Sequence, residues 1–291
     1  MGLLATILGI AQDGGIPQAS LSLDNWKVYQ SGVVYHPVSL GVLSDDGNGH
    51  LFDVTRCLPW QLALWQQKCS GQINKISDVW ISHSHLSHVD GLRQFGTASM
   101  GLKGINLRCS KLFAGEIESN QWIQELIDDG TFQLKIWDEG EEIVVTNGFK
   151  VMPISVPHRT KGSDTHCFLV TGTMKKLLYL SDHDSWDETL INMGFSNPMD
   201  WFKSLGTDIV LVDGTFWSHD ELLGRNQTEV PHPTVQETLE LIGDKKFDDP
   251  EIIFIHLNHT NPLLNKLGAE YKRLTKKGWS VGHEGQTFEL N

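Results

Sequence analysis

The chain has 291 residues, a 40% apolar fraction with ten tryptophans, and a formal net charge of −13. That composition can fill a sizeable core and excludes intrinsic disorder. The acidic balance weighs against a nucleic-acid binder, whose surface is usually basic, but leaves room for a small anionic substrate held at a local site.

The first strand is predicted over Leu3–Ile10, and it is followed by a turn-rich loop, "GIAQDGGIPQ", at 9–18. This apolar start has neither a basic leader nor a small-residue cleavage site, so a signal peptide is not expected. A polar stretch runs to Tyr35. The segment "PVSLGVLSDDGNGHLFDVT" reads as a hairpin, two β-rich runs around a Asp-Asp-Gly-Asn-Gly turn. Pro59 opens a helix over "PWQLALWQQKC". The short apolar strand "KISDVWIS" then delivers "HSHLSH", which holds three histidines at 83, 85 and 88.

From residue 105 onward, strands are predicted at 105–113, 143–146, 150–156, 165–171, 176–181, 208–213 and 251–256. Helices are predicted at 116–128, 233–242 and 266–277. Strands and helices alternate with no linker, short-period repeat or low-complexity segment. One α/β domain over 1–291, built from two β-rich halves, is the expectation. No apolar run approaches the roughly 18 residues needed to span a bilayer. Four cysteines, 57, 69, 109 and 167, form no C-x-x-C pair. They suit a reducing compartment, so a cytoplasmic protein with no membrane association is expected.

Five of the strands stop at or just before a residue able to ligate a metal. Asp53, His83, His158, Asp182 and His256 stand at these ends, with His259 shortly after the last. Rigid strands release functional loops at their ends, and imidazole and carboxylate together suit Zn, Mn or Fe. The order of these residues raises each above an ordinary turn residue. The choice between His256 and His259 stays open from the residues alone, although the strand end favours His256. Gly14 and Gly15 permit a close backbone approach to a ligand or are plain turn glycines. Asp213, before Gly214, either serves the site or makes a turn. His36, His50, His166, His219 and His283 fit no pattern.

With these residues in view, the chain resembles the metallo-β-lactamase fold family, whose motif is His-x-His-x-Asp-His followed by single His, Asp and His ligands. "LGIAQDGGIPQ", "VDGTFW" and "HLNHTNPLL" further resemble the PQQ-biosynthesis protein B group and its phosphodiesterase relatives, although the cysteine cluster of those relatives is missing. The resemblance implies a four-layer αβ/βα sandwich with a binuclear site on one edge. It implies that His83, His85 and His158 hold one ion, that His88 and His256 hold the other, and that Asp182 bridges them. Asp53 orients a ligand histidine, and His232 is a candidate general acid or oxyanion stabiliser, with a helix-entry role equally open. His259 is a residue of the surrounding shell or a substrate contact, as are Gly14 and Gly15.

Ser87 departs from the motif, because a neutral hydroxyl replaces the Asp of the second ion. Either that site is weaker and one ion binds, or water or another side chain fills the gap; Asp90 and Asp184 are the candidates. The expected cofactor is one or two divalent transition-metal ions, with zinc first and manganese or iron as the alternatives. The expected partner is a small molecule, and a homo-oligomer is compatible with the sequence. Three functions follow in order. The first is a hydrolase using a metal-activated water on a phosphodiester or other small ester-like bond, the second an iron-dependent oxidoreductase of cofactor or peptide maturation, and the third a non-catalytic binding protein with a decayed site.

Overall fold

The computed structural model describes residues 2–19, 21, 23–159, 163–222 and 227–291. Two seven-stranded mixed sheets stack face to face. The first contains β1 (Leu4–Gly9), β2 (Ser39–Leu43), β3 (Asn48–Phe52), β4 (Lys75–Trp80), β5 (Ile105–Cys109) and β6 (Phe132–Ile136). The second contains β7 (Ile143–Thr146), β8 (Phe149–Val156), β9 (Thr165–Thr171), β10 (Lys176–Leu180), β11 (Ile209–Asp213), β12 (Glu251–Ile255) and β13 (Ser280–Val281). The last strand, β14 (Thr287–Glu289), crosses back to pair with β1. The two orders, β14-β1-β2-β3-β4-β5-β6 and β13-β12-β11-β10-β9-β8-β7, each join an antiparallel part to a parallel part.

The facing surfaces lock through aromatic side chains. Phe52 of β3 packs edge-on against Phe168 of β9 with ring centroids 5.2 Å apart, and Trp80 of β4 lies 6.1 Å from the same ring. Such pairs add to the burial of large apolar area between the layers. Helices cover the outer faces. Leu58 and Trp65, of the helix Leu58–Lys68, belong to the core of the first sheet. A Cβ on Gly41 would lie 2.5 Å from Trp65 Cε2, so the glycine lets that helix seat closely on β2. Trp186, Phe202, Leu239 and Leu274, from four further helices, pack on the second sheet. The molecule is thus an αβ/βα sandwich, as the sequence predicts.

Several local predictions change. The polar stretch before Tyr35 contains a helix, Leu23–Ser31, and β6, β13, β14 and the helices Trp186–Met193 and Pro198–Leu205 are additional. The strand predicted to run to 113 ends at Cys109, because the Ser110 hydroxyl accepts from Phe113 N–H and starts a helix at Lys111. The helix predicted over 116–128 is therefore two, Lys111–Ser119 and Gln121–Asp128, broken at Asn120. Thr234 and Glu237 form a capping box that starts the helix Val235–Ile242 just past His232. All four cysteines are free.

Candidate metal centre

The strand ends converge on one edge of the sandwich. After β4 the chain makes a tight turn through His83 and His85 into the short helix Leu86–Val89. This turn docks on the chain leaving β3, with Val54 N–H donating to His88 O and Gly91 N–H donating to Val54 O. Gly91 is required there, since a Cβ would sit 2.1 Å from Thr55 O. A buried strand end, a short helix and a glycine thus aim three imidazoles in one direction.

Two subsites result. In the first, His83 Nε2 lies 3.0 Å from His85 Nδ1, which lies 3.3 Å from His158 Nε2. Nitrogens that share a tetrahedral zinc at bonds of about 2.0–2.1 Å stand about 3.3–3.4 Å apart. Burial, then neighbouring histidines, pushes His83 well below the ordinary histidine value; burial, then His158, lowers His85. Both rings therefore stay neutral at pH 7, the form that ligates metal.

Asp182 stands between the subsites. Its Oδ1 is 3.2 Å from His256 Nε2 and 4.0 Å from His158 Nε2, and its Oδ2 is 3.6 Å from His88 Nε2. Burial opposes its charge, but His256, His88, His83 and His158 outweigh that and hold the carboxyl well below its usual range. The pair at 3.2 Å is not aligned as a hydrogen bond. His88 Nε2, His256 Nε2 and Asp182 Oδ2 are buried with no hydrogen-bond partner. Buried polar atoms rarely go unpaired, and a shared cation satisfies all three. The donor set fits divalent transition metals.

Four of the ligand histidines are fixed from behind. His83 Nδ1 meets Ser82 Oγ at 2.9 Å, His88 Nδ1 donates to Asp53 Oδ2 at 2.9 Å, and His158 Nδ1 donates to Asp184 Oδ1 at 3.0 Å. Thr215 Oγ donates to Asp213 Oδ1 at 2.7 Å, so it accepts from His256 Nδ1 at 2.7 Å. These bonds set the tautomer that leaves Nε2 free for an ion. Asp53 also accepts from Ser82 N–H and Tyr179 Oη. Asp53 and His256 both have φ of +60° and Asp13 has +36°, a left-handed region that few non-glycine residues adopt and that Asp and His enter more readily than most.

His232 lies beside the ligands, with its ring centroid 5.4 Å from that of His158 and 5.5 Å from that of His256. Its Nδ1 donates to the buried Asp213 Oδ2 at 2.7 Å. Burial opposes its charge, but Asp213 and Asp182 prevail and raise it to about 9. A cavity of about 560 Å³ opens next to it, lined among others by Arg159, Asp184, Trp186 and Leu241.

The remaining predicted residues fall differently. His259 is exposed and bonds Asn258, outside every ligand group among the described residues. Asp90 pairs with Arg56 at 2.9 Å and points away, and Asp184 serves His158 and Arg159, so neither carboxylate reaches the place opposite Ser87. Ser87 Oγ instead donates to Asp13 Oδ1 at 2.8 Å. Gly14 and Gly15 are the turn that follows Asp13, and Gly15 N–H closes it on Gln12 O at 3.0 Å with φ of +77°. Asp13, Thr215 and Tyr179 were not singled out in the sequence. Asp13 in "AQDGG" reads as a turn residue, while Thr215, two positions after the strand-end Asp213, carried a weak signal of its own.

Two sheets with a His-rich edge of this form define a metallo-β-lactamase sandwich. The beta-lactamase superfamily domain matches residues 54–257, and the chain belongs to that family. Within it the chain falls in the PQQ-biosynthesis-like branch. It is 24% identical to a coenzyme PQQ synthesis protein B of Xanthomonas oryzae pv. oryzae (strain MAFF 311018), over 98% of this chain and 99% of that one. A counterpart from Acinetobacter baumannii (strain ACICU) is 23% identical with the same coverage. In fold, the chain is similar to Zn(2+)-bound PqqB from Methylobacterium extorquens, with a TM-score of 0.78 and 19% identity over 99% of this chain and 100% of that one. It is also similar to a diphosphatase from the PhnP family, with a TM-score of 0.68 and 20% identity over 99% and 97% of the two chains.

Proposed function

We propose that the whole chain acts as one metal-dependent hydrolase, cleaving a phosphodiester or other small ester-like bond in an anionic small molecule. The observation that carries this is the His232–Asp213 pair, a buried proton donor set between the ligand cluster and the cavity. His83, His85 and His158 would hold one ion, His88 and His256 the other, and Asp182 both. Bound ions supply an activated water, because coordination lowers the pKa of water from about 16 to about 7. Zinc suits the donor set best, with manganese or iron as alternatives.

The chain's own groups do the rest. Asp213 holds His232 Nδ1–H, so the protonated ring turns Nε2–H toward the ligand edge. That proton passes to the departing oxygen as its bond to the electrophile breaks, and the neutral ring is later reprotonated by solvent. Asp182, His232 and His256 also place ligand atoms within 4.8 Å of one another. His232 lines the cavity, whereas the buried, unpartnered nitrogens are those of His88 and His256, and this position favours proton donation over ligation. Arg159, held on Asp184 at 3.2 Å, brings a positive charge to the cavity wall for an anionic group. Free cysteines and the lack, among the described residues, of any helix long and apolar enough to cross a membrane support placement in the cytoplasm.

The test uses metal-loaded protein and two phosphodiesters that differ in leaving group, one a nitrophenolate and one an alkoxide. His232→Gln is expected to slow the alkoxide substrate by about 10²–10⁴-fold and to leave the nitrophenolate nearly untouched. Equal losses on both remove His232 as the acid, and no turnover of any ester removes the hydrolase reading. The similarity to coenzyme PQQ synthesis protein B over 98% of the chain favours one second reading, an iron-dependent oxidation in cofactor maturation. Oxygen consumption that needs iron and fails with zinc would select it.

A further inference from the structure

We propose that Asp13, on the loop after β1, supplies the terminal carboxylate of the second metal position, with Ser87 holding it in place. This rests on the binuclear reading above and names a ligand that lies outside the histidine motif.

Ligand atoms of Asp13, His88 and His256 all lie within 4.8 Å of one another. The two imidazoles are buried, and their Nδ1 atoms are taken by Asp53 and Thr215, while their Nε2 atoms have no partner. Two unpartnered buried nitrogens and a carboxylate facing one point form a cation site rather than a hydrogen-bond network. Asp90 and Asp184 are engaged elsewhere, with Arg56 and with His158 and Arg159. Asp13 is thus the carboxylate available to the place that Ser87 leaves neutral.

The serine has a role that an aspartate could not fill. Its hydroxyl donates to Asp13 Oδ1 at 2.8 Å, whereas a carboxylate at 87 would repel Asp13. An ionised carboxylate has about four lone-pair sites, so one hydrogen bond leaves ample capacity for an ion. The loop is also clamped to the strand end that carries His256. Leu257 N–H donates to Ile10 O at 2.7 Å, and Gln12 N–H donates to Leu257 O at 2.9 Å. Gly9 makes room on the other side, since a Cβ there would lie 1.9 Å from Pro37 O. Asp13 is therefore presented on a fixed loop. Asp13 and Ser87 together do what the single Asp of the motif does elsewhere: they return one negative charge to the second position.

The experiment titrates the metal-depleted full chain with Zn(II) and Co(II), reading stoichiometry by elemental analysis and calorimetry and the Co(II) environment by visible absorption. Thermal melts check that each variant is folded. The wild type is expected to bind two ions per chain. Asp13→Asn should keep the first and weaken the second by about 100-fold or more, and Ser87→Ala should weaken the second by about 10–100-fold. The double change Asp13→Asn with Ser87→Asp should recover the second ion. Two ions bound with wild-type affinity by Asp13→Asn would overturn the proposal and leave the binuclear reading standing. A loss in Asp13→Asn that Ser87→Asp does not recover would overturn it too, as would a wild type with one ion at the first subsite. A wild type that binds no metal would overturn the binuclear reading itself.

Discussion

The two subsites share Asp182 and differ in how they are built. The first takes three imidazoles from two places, the β4 turn and the end of β8. Two of them, His83 and His85, are neutral because burial and mutual repulsion depress them. The second draws on separate segments: His88 from the short helix, His256 from the end of β12, and Asp13 from the loop after β1. Burial disfavours charge on His88, yet Asp53 and Asp182 raise it to about 9. Both are assembled by the tertiary fold, since His85 and His158 are 73 residues apart in the chain. In the first, His83 and His85 are already neutral, whereas His88 of the second must lose a proton before it takes an ion.

The hardest blow to both falls at the residue they share. Asp182→Asn is expected to cut the proposed hydrolysis by about 10²–10³-fold, the scale of losing a preorganised electrostatic group at a reacting centre. Metal content should fall below one ion per chain by elemental analysis. A variant that kept two ions would break the view of Asp182 as the common ligand.

The groups behind the ligands separate the subsites more finely. Asp53→Asn disturbs His88 and Asp184→Asn disturbs His158. Each should weaken its own ion by about 10–100-fold in competition with a chromophoric chelator and spare the other. Losses that spread evenly would mean the two subsites act as one.

The most gradual effect is on pH. A histidine raised to about 9 keeps its proton below that pH, and an ion must displace it. The second subsite's affinity should therefore rise about tenfold per pH unit from 7 toward 9 and level off above, since binding releases one proton. The first subsite, where His83 and His85 are held below their ordinary value, should respond less over the same range. Calorimetric titrations at pH 7, 8 and 9 in two buffers would show the difference, and equal slopes would erase it.

Much of the site was legible in the chain itself. Apolar runs that end in His or Asp mark strands that release ligands, and His83, His85, His88, His158, Asp182 and His256 meet at one edge as that pattern predicts. Asp53 was legible as a strand-end carboxylate, and the resemblance gave it the orienting role that His88 Nδ1 shows by donating to it. The close contest between His256 and His259, in which the strand end favours His256, is closed by the structure, because His259 is exposed and outside every ligand group among the described residues. The helix at 116–128 went wrong for a local reason, since Ser110 caps earlier than the apolar pattern suggests.

The sequence by itself determined the class of protein through the resemblance of its ligand motif to a known family, and that motif is legible because strand ends and ligand types are local properties that survive without knowing what packs against what. It also exposed the gap at Ser87, since one letter of a six-residue motif can be read directly. What fills the gap was decided by the tertiary structure. Asp13 and Ser87 are 74 residues apart, and Tyr179 and Asp53 are 126 apart. No periodicity spans such distances. They become neighbours because Leu257 pairs with the loop after β1 and because the two sheets close face to face, which brings separate strand ends to a single edge.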